Sequence, residues 1–366
     1  MRKILFHVGD MKTGSTSIQQ ALASQAWRCP SQTLDYVVAP ENPYHHSLAM
    51  AFALEDTEAI DAEMQALSER IAQSTADVVV MSSELFEEVP PERFQAAIRR
   101  YLPQYEPLIQ FLIYTRPHAS RYLSSYSQVI KLGYFLGTLT DYFEDALEDR
   151  RFFHADRYMR WRAVFGDAVT VRAMLRPELF QQDVVQDFFH IAFDGAGFQV
   201  VDLPQTNESL ALSDMAVLRD FHQRLKINHR WGQKAMLTAR MRVGERLSEF
   251  LMRTPPVAGS TRLALHRELM DRIEETYGPD AVALDDAFFE GRPLFQTAME
   301  QASQAAVDEE QSLDILDYFA PGILQQTQFW ADLIGDLIKR DPQHWDLFFL
   351  EILNREMRGL SQADSV

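Results

Sequence analysis

The chain has 366 residues, of which 46% are hydrophobic and 24% are charged, a composition that is typical of a folded globular protein and excludes wholesale disorder. It carries 35 Lys and Arg against 53 Asp and Glu, and the net charge of −18 excludes general electrostatic binding of nucleic acid. The single cysteine, Cys29, excludes an internal disulfide framework and a cysteine-rich metal site, and it favours a cytoplasmic protein. No stretch of 18 continuous apolar residues occurs, so we expect no transmembrane segment.

The first half of the chain alternates between predicted strands and predicted helices. Four short apolar runs lack polar alternation, which indicates strands buried on both faces. These runs are residues 3–8, 77–81, 108–114 and 168–173. Helical periodicity predicts one helix that starts near Ser15 and another that includes residues 60–71. The alternation predicts a P-loop-like, doubly wound parallel α/β sheet flanked by helices.

The rest of the chain has a helical pattern. We predict an α/β domain over residues 1–296, in which residues 206–296 are mostly helical, and a helical C-terminal extension over residues 297–366. Large apolar residues recur at helical spacing in this extension. They include Trp330, Leu333, Leu337, Trp345 and Phe348. Because so much apolar surface needs a partner, we expect it to pack on the core, with a homodimer contact through these helices as the alternative.

A loop bounded by two glycines follows the first predicted strand and leads into a helix. Gly9 and Gly14 allow close approach to the backbone, Lys12 adds a full positive charge, and a helix N-terminus attracts phosphate. The two glycines have the spacing of the nucleoside-triphosphate P-loop, but Ser15 stands where that loop has its lysine. The pattern therefore predicts a phosphate-binding loop that departs from the ATP and GTP loops at their most diagnostic position.

Lys12-Thr-Gly-Ser-Thr16, placed after a first strand, resembles the 5′-phosphosulfate-binding loop of sulfotransferases that use 3′-phosphoadenosine 5′-phosphosulfate (PAPS). A second motif agrees with it. Arg116 at the end of the third predicted strand and Ser124 eight residues later resemble the 3′-phosphate site of the same family. The resemblance is to bacterial carbohydrate-type sulfotransferases, and it covers roughly residues 1–210 well and residues 211–296 weakly.

The resemblance implies a role for each matching residue. Lys12, Thr13, Gly14, Ser15 and Thr16 would hold the 5′-phosphosulfate, and Lys12 would also stabilise the leaving phosphate. The 3′-phosphate would lie on the residues of the second motif, Arg116 and Ser124. The reaction would be an in-line displacement without a metal, and its acceptor would be a small molecule or glycan, with a saccharide or glycolipid hydroxyl favoured.

The acceptor hydroxyl needs a general base. Glu84, just after the second predicted strand, is the favoured residue, because strand-end carboxylates have that role in relatives that act on sugars. The alternatives are Glu87, Glu88, His45 and His46.

The sequence does not decide the roles of two loop residues and one strand residue. Met11 stands where the family usually has proline, and Asp10 puts a negative charge beside the expected phosphosulfate, for which the sequence offers no explanation. Arg172, in the fourth predicted strand, either points into the cleft or pairs with an acid.

Two other functions compete with a sulfotransferase. A P-loop nucleotide kinase would need a lysine after Gly14 and an aspartate for Mg²⁺, and the chain has Ser15 and Glu84 instead. A non-catalytic interaction protein on a sulfotransferase-like core would not need its phosphate-binding residues. The presence of Lys12, Arg116 and Ser124 argues against that function.

Overall fold

A computed structural model describes residues 2–38, 44–201, 210–225, 234–256 and 258–357. The strands are β1 (Lys3–His7), β2 (Trp27–Arg28), β3 (Leu34–Tyr36), β4 (Val78–Ser82), β5 (Ile109–Thr115), β6 (Val169–Ala173) and β7 (Gln199–Val200). The helices are α1 (Ser15–Ala23), α2 (His46–Ala53), α3 (Thr57–Gln73), α4 (Pro91–Tyr101), α5 (His118–Leu132), α6 (Leu139–Glu148), α7 (Ala155–Phe165), α8 (Val184–Ala192), α9 (Leu212–Leu225), α10 (Lys234–Arg253), α11 (Arg267–Phe288), α12 (Leu294–Gln304), α13 (Pro321–Arg340) and α14 (Pro342–Met357).

The chain divides into two compact units. The first comprises Met1–Pro117, Phe153–Pro204 and Gly278–Ala298, and the second comprises His118–Phe152, Gln205–Tyr277 and Met299–Val366. The predicted domain boundary at residue 296 stays a prediction.

The first unit contains a five-stranded parallel sheet with the order β3-β4-β1-β5-β6. The α/β prediction is confirmed, and each of the four predicted runs forms a strand whose ends differ by at most one residue from those predicted. The three-residue edge strand β3 was not predicted. Because the chain adds strands on both sides of β1, the loop after β1 lies where the strand order reverses, which is where ligands bind in open α/β sheets.

Both faces of the sheet are covered, which explains why its strands lack polar alternation. On β1, Ile4 and Phe6 belong to one buried cluster, while Leu5 belongs to the other. The first cluster includes the aromatic residues Phe86, Phe94, Phe111, Tyr158 and Trp161. The second includes the apolar faces of α1 and α8, with Ile18, Leu22, Val184, Phe188 and Phe189.

The second unit is helical, and α13 packs in it through its small and aliphatic residues. Ile338 is fully buried and clusters with Leu225 and Val243. Gly335 allows this approach, since a Cβ there would lie 3.1 Å from the carbonyl oxygen of Leu225. Trp345 of α14 is half-buried beside the same cluster.

The prediction that the aromatic face of the extension packs on the core is wrong in part. Four of its five residues remain exposed, and Trp330 keeps 59% of its surface accessible. The other exposed members are Leu333, Leu337 and Phe348. The residues that α13 buries include Leu324, Ala331 and Ile338. Among the helices that the structure describes, none is long and apolar enough to cross a bilayer.

Candidate active site

The loop between β1 and α1 has a backbone that requires glycine at one position. Lys12 and Gly14 both have positive φ angles, of 65° and 85°. A Cβ added at Gly14 would lie 2.7 Å from Cγ1 of Val184, so a side chain there would be both strained and crowded. This turn brings the chain to the N-terminus of α1, where Gly14 is the N-cap residue.

The first turn of α1 is not capped by the side chain of its N-cap residue, because that residue is Gly14. The buried hydroxyl groups of the loop bond elsewhere. Thr13 Oγ1 donates to the carbonyl oxygen of Asp10 at 2.5 Å, and Ser15 Oγ donates to the same atom at 3.4 Å. The side chain of Thr16 is exposed on this turn. Amides in the first turn of a helix lack partners within the helix, and they are suited to bind an anion.

Arg116 follows β5, the neighbour of β1 in the sheet, and contacts the loop. Its Nη1 donates to the carbonyl oxygen of Lys12 at 3.2 Å. Two cationic residues that came from separate sequence motifs therefore meet at one edge of the sheet. Ser124 is half-buried on α5, which belongs to the second unit, and its assignment to the 3′-phosphate site stays a prediction.

Asp10, which the sequence left unexplained, is the centre of a buried polar network beneath the loop. Arg157 and the hydroxyl of Tyr158 donate to its carboxylate, and His154 Nδ1 lies 3.3 Å from it. Burial opposes the charge of Arg157, but Asp10 and Glu87 outweigh burial and raise the pKa of the guanidinium. The negative charge of Asp10 therefore faces the guanidinium of Arg157, which Asp10 shares with Glu87.

Glu87, one of the alternative bases, supports the same loop. Its Oε1 accepts from Arg157 at 2.8 Å, and its Oε2 accepts from the backbone N–H of Met11 at 3.1 Å. Both carboxylate oxygens are thus engaged in holding the loop. Glu88, in the same 3₁₀ segment, is exposed.

Glu84 begins the 3₁₀ segment Glu84–Glu88 directly after β4, which is the other neighbour of β1. Its side chain is 21% exposed. Gln19, a buried residue of α1, donates to Oε2 at 2.9 Å, and His46 Nε2 lies 3.7 Å from Oε1. Glu84 therefore lies at the same sheet edge as the loop, and it is linked to the helix that the loop precedes.

His45 cannot serve as the base in this arrangement. It is buried, its Nε2 lies 3.2 Å from the carbonyl oxygen of Val37, and its Nδ1 accepts from the backbone N–H of Ser82 at 3.3 Å. Because Nδ1 accepts that bond, the proton of the neutral ring is on Nε2. Burial lowers the pKa of His45 to about 4, which agrees with a neutral structural residue. The alternative that His45 acts as the base is wrong.

Arg172 pairs with an acid, which resolves the question left by the sequence. Its Nε donates to Asp187 Oδ2 at 3.1 Å, and the hydroxyl of Tyr114 donates to the same oxygen at 2.8 Å. This pair ties β5 and β6 to α8.

Sequence reasoning missed Gln19 and Arg157. Gln19 is four residues after Ser15, so it lies on the same face of α1 as the loop residue, and that spacing was a usable signal. Arg157 is 147 residues from Asp10, and no local pattern connects them.

Among the described residues, no cluster of three or more His, Cys, Asp or Glu could hold a metal ion. No family model matches the sequence, and no curated protein matches it. Among solved structures, the chain is similar to a crystal structure of a sulfotransferase from Alicyclobacillus acidocaldarius. The match has a TM-score of 0.44 and 13% sequence identity, and it covers 81% of this chain and 99% of that chain.

Proposed function

We propose that this protein is a PAPS-dependent sulfotransferase that acts on a hydroxyl group of a saccharide or glycolipid acceptor. The observation that carries the proposal is the contact between the Arg116 guanidinium and the carbonyl oxygen of Lys12. It joins a cation at the end of β5 to the loop at the N-terminus of α1. Two anion-binding groups on adjacent strands suit a nucleotide that carries two separate phosphate groups.

The chemistry of these residues fits PAPS better than ATP. Lys12 lies inside the loop, and Ser15 occupies the position of the P-loop lysine. Arg116 supplies a forked cation, which recognises phosphate bidentately.

PAPS supplies an activated sulfuryl group. The acceptor oxygen forms a bond to sulfur while the bond between sulfur and the 5′-phosphate oxygen breaks, leaving 3′-phosphoadenosine 5′-phosphate (PAP) and a sulfate ester. Lys12 and the first-turn amides of α1 would stabilise the negative charge on the leaving phosphate. Glu84 would take the proton of the acceptor hydroxyl and release it to solvent.

Ligand-induced stabilisation tests the proposal. Thermal unfolding is measured with PAP and, separately, with ATP and Mg²⁺. At a hundredfold excess over its Kd, a ligand of the native protein adds about 2.7 kcal/mol of stability, and we expect this from PAP alone. A larger effect of ATP with Mg²⁺ would favour the kinase, and no effect of either would favour a non-catalytic module.

A further inference from the structure

His46 lies beside Glu84 and is bonded to the residue that precedes it. His46 is the first residue of α2, and its Nε2 is 3.7 Å from Glu84 Oε1. Its other ring nitrogen, Nδ1, is 2.8 Å from Ser83 Oγ. Gln19 engages the remaining oxygen of Glu84 at 2.9 Å. The carboxylate is therefore flanked by a buried amide donor and by an imidazole.

The bonds of Ser83 favour one tautomer of His46. Ser83 Oγ accepts from the backbone N–H of Leu85 at 3.2 Å, which leaves its own hydroxyl hydrogen to donate to His46 Nδ1. An ionised carboxylate can only accept, so the ring proton belongs on Nε2, facing Glu84. Ser83 thus donates to His46 Nδ1, and the N–H of Nε2 faces Glu84 Oε1 at 3.7 Å without forming a hydrogen bond.

Neighbouring rings fix the plane of the imidazole. Tyr44 stacks on His46 with ring centres 4.8 Å apart and an interplanar angle of 6°. Among the described residues, Tyr44 stacks on the ring, and His45 and Glu84 interact with it electrostatically. Burial lowers the pKa of His46, and the opposing effect of Glu84 is smaller, so the ring is neutral at pH 7. His46 therefore acts toward Glu84 through its N–H dipole.

We propose that His46 is a positioning residue that orients Glu84 toward the acceptor hydroxyl. This inference rests on the proposed function. Gln19 holds Oε2, whereas the 3.7 Å separation from His46 is longer than a hydrogen bond and leaves a lone pair of Oε1 for the hydroxyl. The proton of that hydroxyl passes to Oε1 as its oxygen bonds to sulfur, and the imidazole N–H stabilises the carboxylate before the transfer.

The pairing is tested without substrate by an NMR titration of the His46 imidazole. In Glu84→Gln, loss of the carboxylate should lower the pKa of His46 further, because Glu84 is the group that raises it. His190 lies on α8 and stacks on Phe180 at 4.1 Å and 6°, and its NMR signals serve as the internal reference in both proteins. An unchanged His46 titration would overturn the pairing, whether or not the protein binds PAP.

The positioning role is tested with PAPS, using water or a hydroxylic acceptor. We expect His46→Ala to lower kcat about tenfold and to move the acidic limb of the pH–rate profile to higher pH. His46→Gln should recover most of the activity, because its amide supplies an N–H near the position of Nε2. His190→Gln should have wild-type kinetics.

Calorimetry with PAP distinguishes a failure of the proposed function from a failure of the positioning role of His46. PAP affinity in both His46 variants should stay within twofold of wild type. Wild-type protein that binds no PAP would refute the proposed function, while the NMR titration would still decide the pairing. A His46→Ala enzyme with the kcat and pH profile of the wild type would overturn the positioning role. If His46→Ala does not fold, a His46→Gln enzyme as impaired as Glu84→Gln would overturn it equally.

Discussion

Arg157 bridges two carboxylates beneath the loop between β1 and α1. Its Nη2 donates to the buried Asp10, and its Nη1 donates to Glu87 Oε1 at 2.8 Å. Since Glu87 also accepts from the backbone of Met11, this arginine links α7 to the loop at two points. An aspartate next to a bound anion would otherwise weaken binding. Here it is a structural support whose charge is balanced in the interior.

Removal of this arginine should destabilise the first unit. Arg157→Met leaves Asp10 buried without its cation, which costs about 3–5 kcal/mol of unfolding free energy. The double variant Asp10→Asn, Arg157→Met should recover part of that loss. Arg160→Met is the matched control on α7, because Arg160 pairs with Glu92 at the surface and should change stability by about 0.5 kcal/mol or less. Urea unfolding measures all three, and equal losses for the two single variants would contradict this role.

His45 should make stability depend on pH. Its pKa is about 4 in the folded chain and about 6.5 in the unfolded chain, so the unfolded state binds more protons between these values. The contribution of neutral His45 to the free energy of unfolding is complete above pH 6.5 and is lost as the pH falls toward 4. It amounts to about 2 kcal/mol between pH 7.5 and pH 5.

Urea unfolding at pH 7.5 and at pH 5 measures this dependence. The unfolding free energy of His45→Gln should be less sensitive to pH than that of the wild type by about that amount. If His45→Gln retains the full pH dependence, the buried neutral state of His45 is not its source.

Two residues of α13 should differ sharply in their effect on stability. Ile338 is fully buried, so Ile338→Ala should lower the unfolding free energy by about 2–5 kcal/mol. Trp330 is exposed, so Trp330→Ala should change the unfolding free energy of a monomer by about 0.5 kcal/mol or less. Sedimentation analysis checks the alternative expectation of a homodimer contact through these helices. A dimer that Trp330→Ala dissociates would support it, and a monomer at every concentration would contradict it.

The sequence indicated the fold well because a parallel sheet buries both faces of its strands. The runs that became β1, β4, β5 and β6 are apolar throughout, and such runs are recognised locally. The edge strand β3 has three half-buried residues and no comparable signal. The loop between β1 and α1 could also be predicted locally, since its two glycines and the start of α1 lie within eight residues.

The sequence pattern could not predict which side chains pair between distant elements. Asp10 has Arg157 as its partner because α7 passes beneath the loop, and no spacing encodes that contact. The full burial of His45 and the partial burial of His46 could not be predicted either, since the two histidines are adjacent in the chain. On α13, the larger apolar face was expected to be buried, yet Gly335 permits closer packing on the other face.

Recognition of the 3′-phosphate is the most direct test of the proposed function. Isothermal calorimetry compares PAP with AMP, which lacks that phosphate, in the wild type and in Arg116→Ala. A charge-assisted bond is worth about 1.5–3 kcal/mol, so the variant should bind PAP at least about tenfold more weakly and bind AMP almost unchanged. Arg99→Ala, at an exposed pair with Glu106, is the control and should behave as the wild type. We expect wild-type protein to bind PAP much more tightly than AMP; equal affinities for the two would contradict the assignment of Arg116 and of PAPS as the donor.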